Sequence, residues 1–531
     1  MTKNGKLFGG WFLIVGSYTK ELESIKTDLS RYSHSSVFNC AINYLDQGRT
    51  LKNMPWIVMF FLKLSLLGKS GAIEMGQDEF LKVVNRVYKL SNKLLGKSDE
   101  IFMLMMRAMI IQQLSYQIPA IDSWRQIILQ RVLLERSLDF NDDLFFSKVG
   151  ISLGDYYKIA TYLLTVSGKE NPNSAIRWGI SAFYSHLSPE INDEVLVNFL
   201  KLVAIPFHRL PEYLRQYAIA DSNSAELYQE TPFKNKPIIL DNDGLVIFNA
   251  GLCVSGLRSI AIDVLKNCPK FYSRFGIDVE DYVGERLRIT PMKVYSIPEL
   301  NKVIPIKIGK VADYVVVDKD DVFVFESKAI TPTSLMKCAY DPSQLSVLLK
   351  DSFIKGVEQG QETAFKLSGV EGFKDKRVRI IVVTLEDFHI YGGQYVSHYI
   401  REGFESSLVE KYGCLPVQLH DVIYLTLKDL ITLTEWLKDK PVGSMAALFE
   451  EIETASKEPG GARFSISPYI GAKIGPEIMG PIGVGDALER TKAEMEHLMM
   501  SNNRFRKSQH PADFMVGFDQ FRNRLRRAFA S

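Results

Sequence analysis

"VADYVVVDKDDVFVFESKAI", from Val311 to Ile330, decides how the chain is read. Two apolar, β-branched runs flank the charged turn Asp318-Lys319-Asp320-Asp321, a pattern that predicts an antiparallel hairpin. Whether the turn is all four residues or only Lys319-Asp320, Val317 faces Val322 and Asp313 faces Glu326. Strand alternation then puts Asp313, Val315 and Val317 on one face with Val322, Val324, Glu326 and Lys328. Directly opposed residues have Cβ atoms about 4.5–5.5 Å apart, so the two carboxylates repel unless something compensates. Lys328 can neutralise one charge. A divalent cation neutralises both, and clustered oxygens suit Mg²⁺, with Mn²⁺ as a substitute. The backbone carbonyl of Ser327 would add another oxygen ligand.

As bare text the pattern D…(D/E)-x-K is weak, since a chain of this length holds roughly one match by chance. Glu326, however, is the only acidic residue standing two before any lysine in the chain. The plainer reading is a surface hairpin whose Glu and Lys simply end the strand. Flanking residues favour a site. In "GIDVEDYVGERL", Val279, Val283 and Leu287 form an apolar helical stripe, with Asp278, Asp281, Glu285 and Arg288 expected on the solvated side. Glu280 falls at the edge of that stripe, a candidate third carboxylate, with Gly284 one turn on. On the helix expected within "DPSQLSVLLKDSFIKGVEQGQETAFKL", Lys355 and Gln359 are i, i+4 neighbours on a polar stripe, beside an apolar stripe of Ile354, Gln361 and Phe365. Asp341 is its expected N-cap and Pro342 its first helical residue.

Around these motifs the texture divides the chain into residues 1–235, 236–440 and 441–531. The first part reads as helical, with apolar spacings of three and four and few alternating runs. "KPIILDNDGLVIFNAG" predicts a small hairpin and "VSGLRSIAIDVLKNC" a helix. "RVRIIVVTL" suits a central strand, followed by a helix near 396–412, a strand near 417–425 and a helix to Lys438. The resulting fold class is α/β (α+β): a helical N-terminal half, a mixed sheet flanked by helices, and a Gly/Pro-rich and helical C-terminal segment. Between Glu458 and Gly485 seven glycines and four prolines predict an irregular segment. "DALERTKAEMEHLMM" predicts a helix, and in the basic tail Phe518, Phe521, Leu525 and Phe529 recur at helical spacing.

The formal net charge of +2 excludes a uniformly basic nucleic-acid coat but not a local basic groove. Five scattered cysteines without a CxxC pair argue against a disulfide framework or zinc ribbon and fit a cytoplasmic protein. The eight histidines form no HExxH motif. "MPWIVMFFLKLSLLG" is too short to span a bilayer and reads as a buried helix, as does "IFMLMMRAMII". No secretory signal and no membrane partner are expected.

Glu280, Asp313, Glu326-Ser327-Lys328 and Gln359, in this order of elements, resemble the PD-(D/E)XK nuclease superfamily and its restriction-endonuclease-like fold over about residues 270–430. Ala312 stands where the motif has proline. The resemblance implies Mg²⁺-dependent hydrolysis of phosphodiester bonds in DNA, less often RNA, by an endonuclease. It implies that Asp313, Glu326 and the Ser327 carbonyl hold the metal, with Glu280 a direct or water-bridged ligand. Lys328 and Gln359 would act on water or phosphate. Lys355 and the tail arginines Arg522, Arg524, Arg526 and Arg527 are candidate phosphate contacts. The helical first half would recognise substrate, a protein partner or a second copy. Large chains of this plan resemble bacterial restriction or phage-defence effectors. The alternative is a catalytically inactive nuclease fold that binds nucleic acid or serves in assembly.

Overall fold

A computed structural model describes residues 5–46, 54–94, 99–117, 120–167, 175–218, 224–242, 244–303, 312–458, 461, 463–474 and 484–530. The fold is mixed: helices dominate, and the strands form two sheets. The chain divides into two compact units. The first comprises 1–95, 112–271 and 486–531; the second comprises 96–111 and 272–485. The expected boundary at 236 therefore falls instead after Phe271, and the stretch containing "IFMLMMRAMII" belongs to the second unit.

In the first unit the "MPWIVMFFLKLSLLG" segment is a buried helix, Pro55–Leu67. Its Lys63 is buried too, and is tolerated because it pairs with Glu226 at 2.7 Å. The helical first half also contains strands the sequence did not signal. β1 (Ile176–Gly179) and β2 (Ala204–Pro206) flank the expected hairpin β3 (Ile238–Asp241) and β4 (Gly244–Ile247) in the order β1-β4-β3-β2. Four- and three-residue strands are too short to show a period. The hairpin is thus part of the first unit, not of the 236–440 region to which its place in the sequence assigned it. Asp243, expected in its turn, lies outside the described residues. Asn249 caps the following helix, Ala250–Leu265, by accepting from Leu252 N–H.

The second unit is built on a five-stranded sheet in the order β5-β6-β7-β8-β9: β5 (Lys293–Ser296), β6 (Tyr314–Asp318), β7 (Asp321–Lys328), β8 (Arg377–Thr384) and β9 (Val422–Thr426). The first three strands are antiparallel, and β7, β8 and β9 are parallel. On one face Val315, Val322, Val324, Ile380 and Val382 pack into a core with Leu345, Leu349, Phe353 and Val357 from the helical segment beyond Asp341. Asp341 caps that segment through Gln344 N–H at 2.8 Å, with Pro342 first in the helix, as expected.

The charged turn does more than cover the sheet end. Asp318 is fully buried and accepts hydrogen bonds from Gly443 and Ala446 N–H at the start of the helix Ser444–Lys457, so the negative charge sits at the positive end of a helix dipole. Asp321 pairs with the buried Arg379. Buried Arg107 is held by carbonyls instead of an acid, donating to Phe388 at 2.8 Å and Met336 at 3.1 Å. In the Gly/Pro-rich segment Ser467–Ile474 is helical, against expectation, while 475–483 lie outside the described residues.

Candidate active site

The hairpin has the register read from its sequence. Val317 pairs with Val322 and Tyr314 with Phe325, across a two-residue Lys319-Asp320 turn in which Lys319 is left-handed at φ 59°. Continued one step, that register sets Asp313 against Glu326. Strand pairing stops at Tyr314, because the Ala312 N–H leaves the ladder and donates to Thr363 Oγ1 at 2.9 Å. The Ser327 N–H, left without a strand partner on that side, donates to Asp313 Oδ2 at 2.6 Å, and Ser327 Oγ reaches the same oxygen at 2.5 Å. An extended residue points its N–H and C=O to the same side, so the Ser327 carbonyl also faces the Asp313 edge.

The fourth group comes from the helix above. The long helix expected beyond Asp341 is interrupted by a π-helical turn at Lys350–Ile354, a widening that recurs at functional sites. Beyond it runs the helix Lys355–Leu367. Gly356 and Gly360 let this helix lie against β8. A Cβ on Gly360 would come within 2.5 Å of Ile380, and one on Gly356 within 3.0 Å of Val382 and 3.6 Å of Lys328 Cε. At that approach Lys328 Nζ donates to Gln359 Oε1 at 2.8 Å and also contacts Glu326 Oε1. Asp313, Glu326, Ser327, Lys328 and Gln359 thus meet where β7 outruns β6.

Charge is crowded here. Glu326 is 2 % exposed, and its Oε2 has no hydrogen-bond partner. Burial, then the Asp313 charge, push the Glu326 carboxyl up to about 8 against the pull of Lys328. The short Lys328 contact favours the ionised form, yet burial outweighs it. Burial also raises Asp313, although its bonds from Ser327 oppose the shift. Glu280 is pushed up to about 7 by burial and by Asp313. It sits half-buried beside Val279 and Val283 on the helix Pro269–Arg288, so its place at the stripe edge is as expected. Asp278, expected in solvent, is buried. Gly284 makes room for a side chain of the protein itself: a Cβ there would lie 2.2 Å from the Tyr314 hydroxyl.

The pair has the features a cation would need. A buried carboxylate oxygen is orphaned, Asp313 Oδ1 takes no hydrogen bond from a described residue, and the Ser327 carbonyl faces the same edge. Among the described residues, however, no group of three or more His, Cys, Asp or Glu side chains stands close enough to hold a metal ion. Glu280 is felt electrostatically but does not join Asp313 and Glu326 in a common ligand set.

Lys355 is half-buried one helical turn before Gln359. Gln361 and Phe365 part company: Gln361 is fully buried and bonds both N–H and C=O of Val417, while Phe365 is 43 % exposed. Arg522, Arg524, Arg526 and Arg527 lie on the helix Pro511–Ala530 of the first unit. That helix docks through Phe518, Phe521 and Leu525, with Phe521 stacked on Tyr184 at 5.0 Å. Arg524, Arg526 and Arg527 are exposed, and Arg522 reaches Asp519 at 3.4 Å. The sequence reading missed Gly356, Gly360 and Thr363; the glycine spacing of four within a helix was the available signal for the first two. Among the described residues no helix is long and apolar enough to cross a membrane. Comparison with family models, curated proteins and solved structures returned no match.

Proposed function

We propose that the second unit is a Mg²⁺-dependent nuclease that hydrolyses phosphodiester bonds of DNA, with RNA the alternative substrate. The observation that carries this reading is the convergence of Asp313, Glu326, Lys328 and Gln359 at one strand end, with a buried Glu326 oxygen left unsatisfied. Mg²⁺ or Mn²⁺ would be held by Asp313, Glu326 Oε2 and the Ser327 carbonyl, with Glu280 reaching it through water. Bound there, the ion would lower the pKa of a water and stabilise charge on the phosphate. Glu326 and Gln359 fix the Lys328 ammonium, which orients that water or a phosphate oxygen. Lys355, one turn along the same helix, is a further cation for the phosphate backbone. A role in restriction or phage defence rests on the resemblance alone, and a location in the cytoplasm on the five scattered cysteines.

Plasmid DNA and a long RNA, each incubated with Mg²⁺, Mn²⁺ or EDTA, provide the test. Cleavage that needs the metal and vanishes in Asp313→Asn and Glu326→Gln supports the reading; cleavage that survives EDTA sinks it. One feature favours the inactive alternative: Lys328 already occupies Glu326 Oε1, and among the described residues no third acid completes a ligand set. Nucleic-acid binding without cleavage under any metal would decide for that alternative.

A further inference from the structure

The helices Gly485–Ser508 and Pro511–Ala530 form a hairpin in the first unit, one face of which their own unit leaves uncovered. On the first helix Leu488, Thr491, Met495, Leu498 and Asn502 turn inward and are buried. Facing outward, Met500 is 56 % exposed, with Met499, Phe505, Met515 and Val516 also exposed nearby in sequence. A groove of about 770 Å³ lies alongside, lined in part by Met499, Met500, Arg506, Phe514 and Met515. Its wall is fixed before any partner arrives. The Arg506 guanidinium lies over the rings of Tyr184 and Phe514 at 5.1 and 4.9 Å and donates to the Ser188 carbonyl at 2.7 Å. Exposed methionines on a preformed surface are the kind of apolar patch that marks a protein contact.

The charges beside that patch have a particular order. Glu496, Met500 and Arg504 follow one another at i, i+4 and i+8 along the exposed stripe, with Ala493 and Lys507 further out. Reversing the helix about Met500 exchanges Glu496 with Arg504 and Ala493 with Lys507. Neighbouring acids have partners of their own: Glu494 binds Arg131 at 2.7 Å and Glu489 binds Lys492 at 2.6 Å. Glu496, Arg504 and Lys507 have no ion-pair partner among the described residues. Acid first and base last also suits the helix dipole, so the order alone names no partner. The coincidence of unpaired opposite charges, equally spaced about an exposed methionine, does name one.

We propose that a second copy of this chain docks on this face, with the two Gly485–Ser508 helices antiparallel about a two-fold axis at Met500. Each Glu496 then meets the Arg504 of the other copy, and Met500 meets its own equivalent. A two-fold contact of this kind is self-complementary and closes at the dimer. The proposal does not depend on the nuclease reading.

Sedimentation of the full chain over a range of concentrations tests it, with circular dichroism confirming that each variant is folded. A monomer–dimer equilibrium is expected. Glu496→Arg and Arg504→Glu should each weaken dimerisation about tenfold, since each sets like charges together at two symmetric positions. The double variant should regain the parental affinity, and Met500→Lys should abolish the dimer. A monomer at every concentration overturns the proposal. So does a dimer indifferent to the single variants, or a double variant no better than either single one.

Discussion

The hairpins β3–β4 of the first unit and β6–β7 of the second share a plan. Each turns through a left-handed residue that is not glycine, Asn242 at φ 52° and Lys319 at φ 59°. In each, one strand has an antiparallel neighbour, β1 or β5, and the other a parallel neighbour, β2 or β8. They differ at the end away from the turn. The first closes on Ile238 paired with Ile247, both fully buried, and runs on to the Asn249 cap. In the second, β7 continues three residues past the Tyr314–Phe325 pair, beside β8 alone. Those three residues are Glu326, Ser327 and Lys328. A sheet edge without its ladder partner offers free backbone groups, and here Asp313 takes up one of them. The residues of the proposed site, Glu326 to Lys328, are the ones in that overhang.

The largest effects should come from the overhang itself. Glu326→Gln keeps an acceptor for Lys328 and Asp313→Asn keeps one for Ser327, yet each removes a charge a metal would need. Each should lower cleavage at least about 100-fold with a melting temperature within a few degrees of the parent. Lys328→Ala should lose activity while calorimetry still detects Mg²⁺. An acid-to-amide change on the first hairpin, Asp241→Asn beside its turn, should leave activity unchanged. Unaltered Mg²⁺ affinity in both acid variants would remove the assignment.

Next in size are the glycines. Gly360→Ala sets a methyl 2.5 Å from the stiff Ile380 side chain, so the helix must lift from β8 and carry Gln359 away from Lys328. A loss of about 1–3 kcal/mol of stability is expected, together with lower activity. In the first hairpin the nearest atom to a Cβ on Gly244 is the Asp241 carbonyl at 3.2 Å, and Gly244→Ala should stay within about 0.5 kcal/mol. Thermal melts of the two variants make the comparison; equal losses would mean that the close seating of the helix does not matter.

How much of this was legible depended on pattern length. The β6–β7 register could be read because the charged turn between the two apolar runs gives the same pairing whether it is counted as four residues or two. Glu326 and Lys328 followed from the same alternation. β5 could not be read, since exposed Lys293 and half-buried Val294, Tyr295 and Ser296 show no alternation. Nor could the role of Asp318: a charged turn residue normally faces water, and only the distant Ser444–Lys457 helix makes its burial favourable. Gln361 is buried on the apolar stripe where its spacing put it, its amide satisfied by Val417, whereas the exposure of Phe365 on the same stripe was not legible in the spacing. The Pro511–Ala530 stripe was legible for the opposite reason, being long, periodic and docked.

The acids should also leave a mark on pH dependence. Glu326 is raised from an ordinary 4.5 to about 8, and Glu280 to about 7, chiefly by burial. The folded chain then keeps protons that the unfolded chain has released. Stability without metal should therefore fall as pH rises from about 5 to 8, and Mg²⁺ affinity should rise over the upper part of that range as the protons leave. Melting curves in EDTA and in Mg²⁺ from pH 5 to 9 measure both. Glu326→Gln should flatten the EDTA profile, and a parallel profile would show that this carboxyl does not carry the linkage.

The smallest effect expected is that of the tail arginines, which belong to the first unit. Deleting the tail would be a poor test, because it uncovers Tyr184 and removes the buried Phe518, Phe521 and Leu525. Arg524→Gln, Arg526→Gln and Arg527→Gln combined would leave that docked stripe in place, since all three side chains are exposed. If these arginines touch DNA phosphates, each neutralised phosphate releases counterions. The dependence of log affinity on log salt should then flatten by about 0.9 for each phosphate that the variant no longer neutralises. Binding measured by fluorescence anisotropy at several salt concentrations gives that slope. A change of about two to three units, alike for unrelated sequences and with the Mg²⁺ requirement for cleavage unaltered, would make the tail a sequence-independent DNA contact remote in chain position from the chemistry. An unchanged slope would leave the helix Pro511–Ala530 with docking as its role and confine nucleic-acid binding to other cations, of which Lys355 beside Gln359 would be the first to replace.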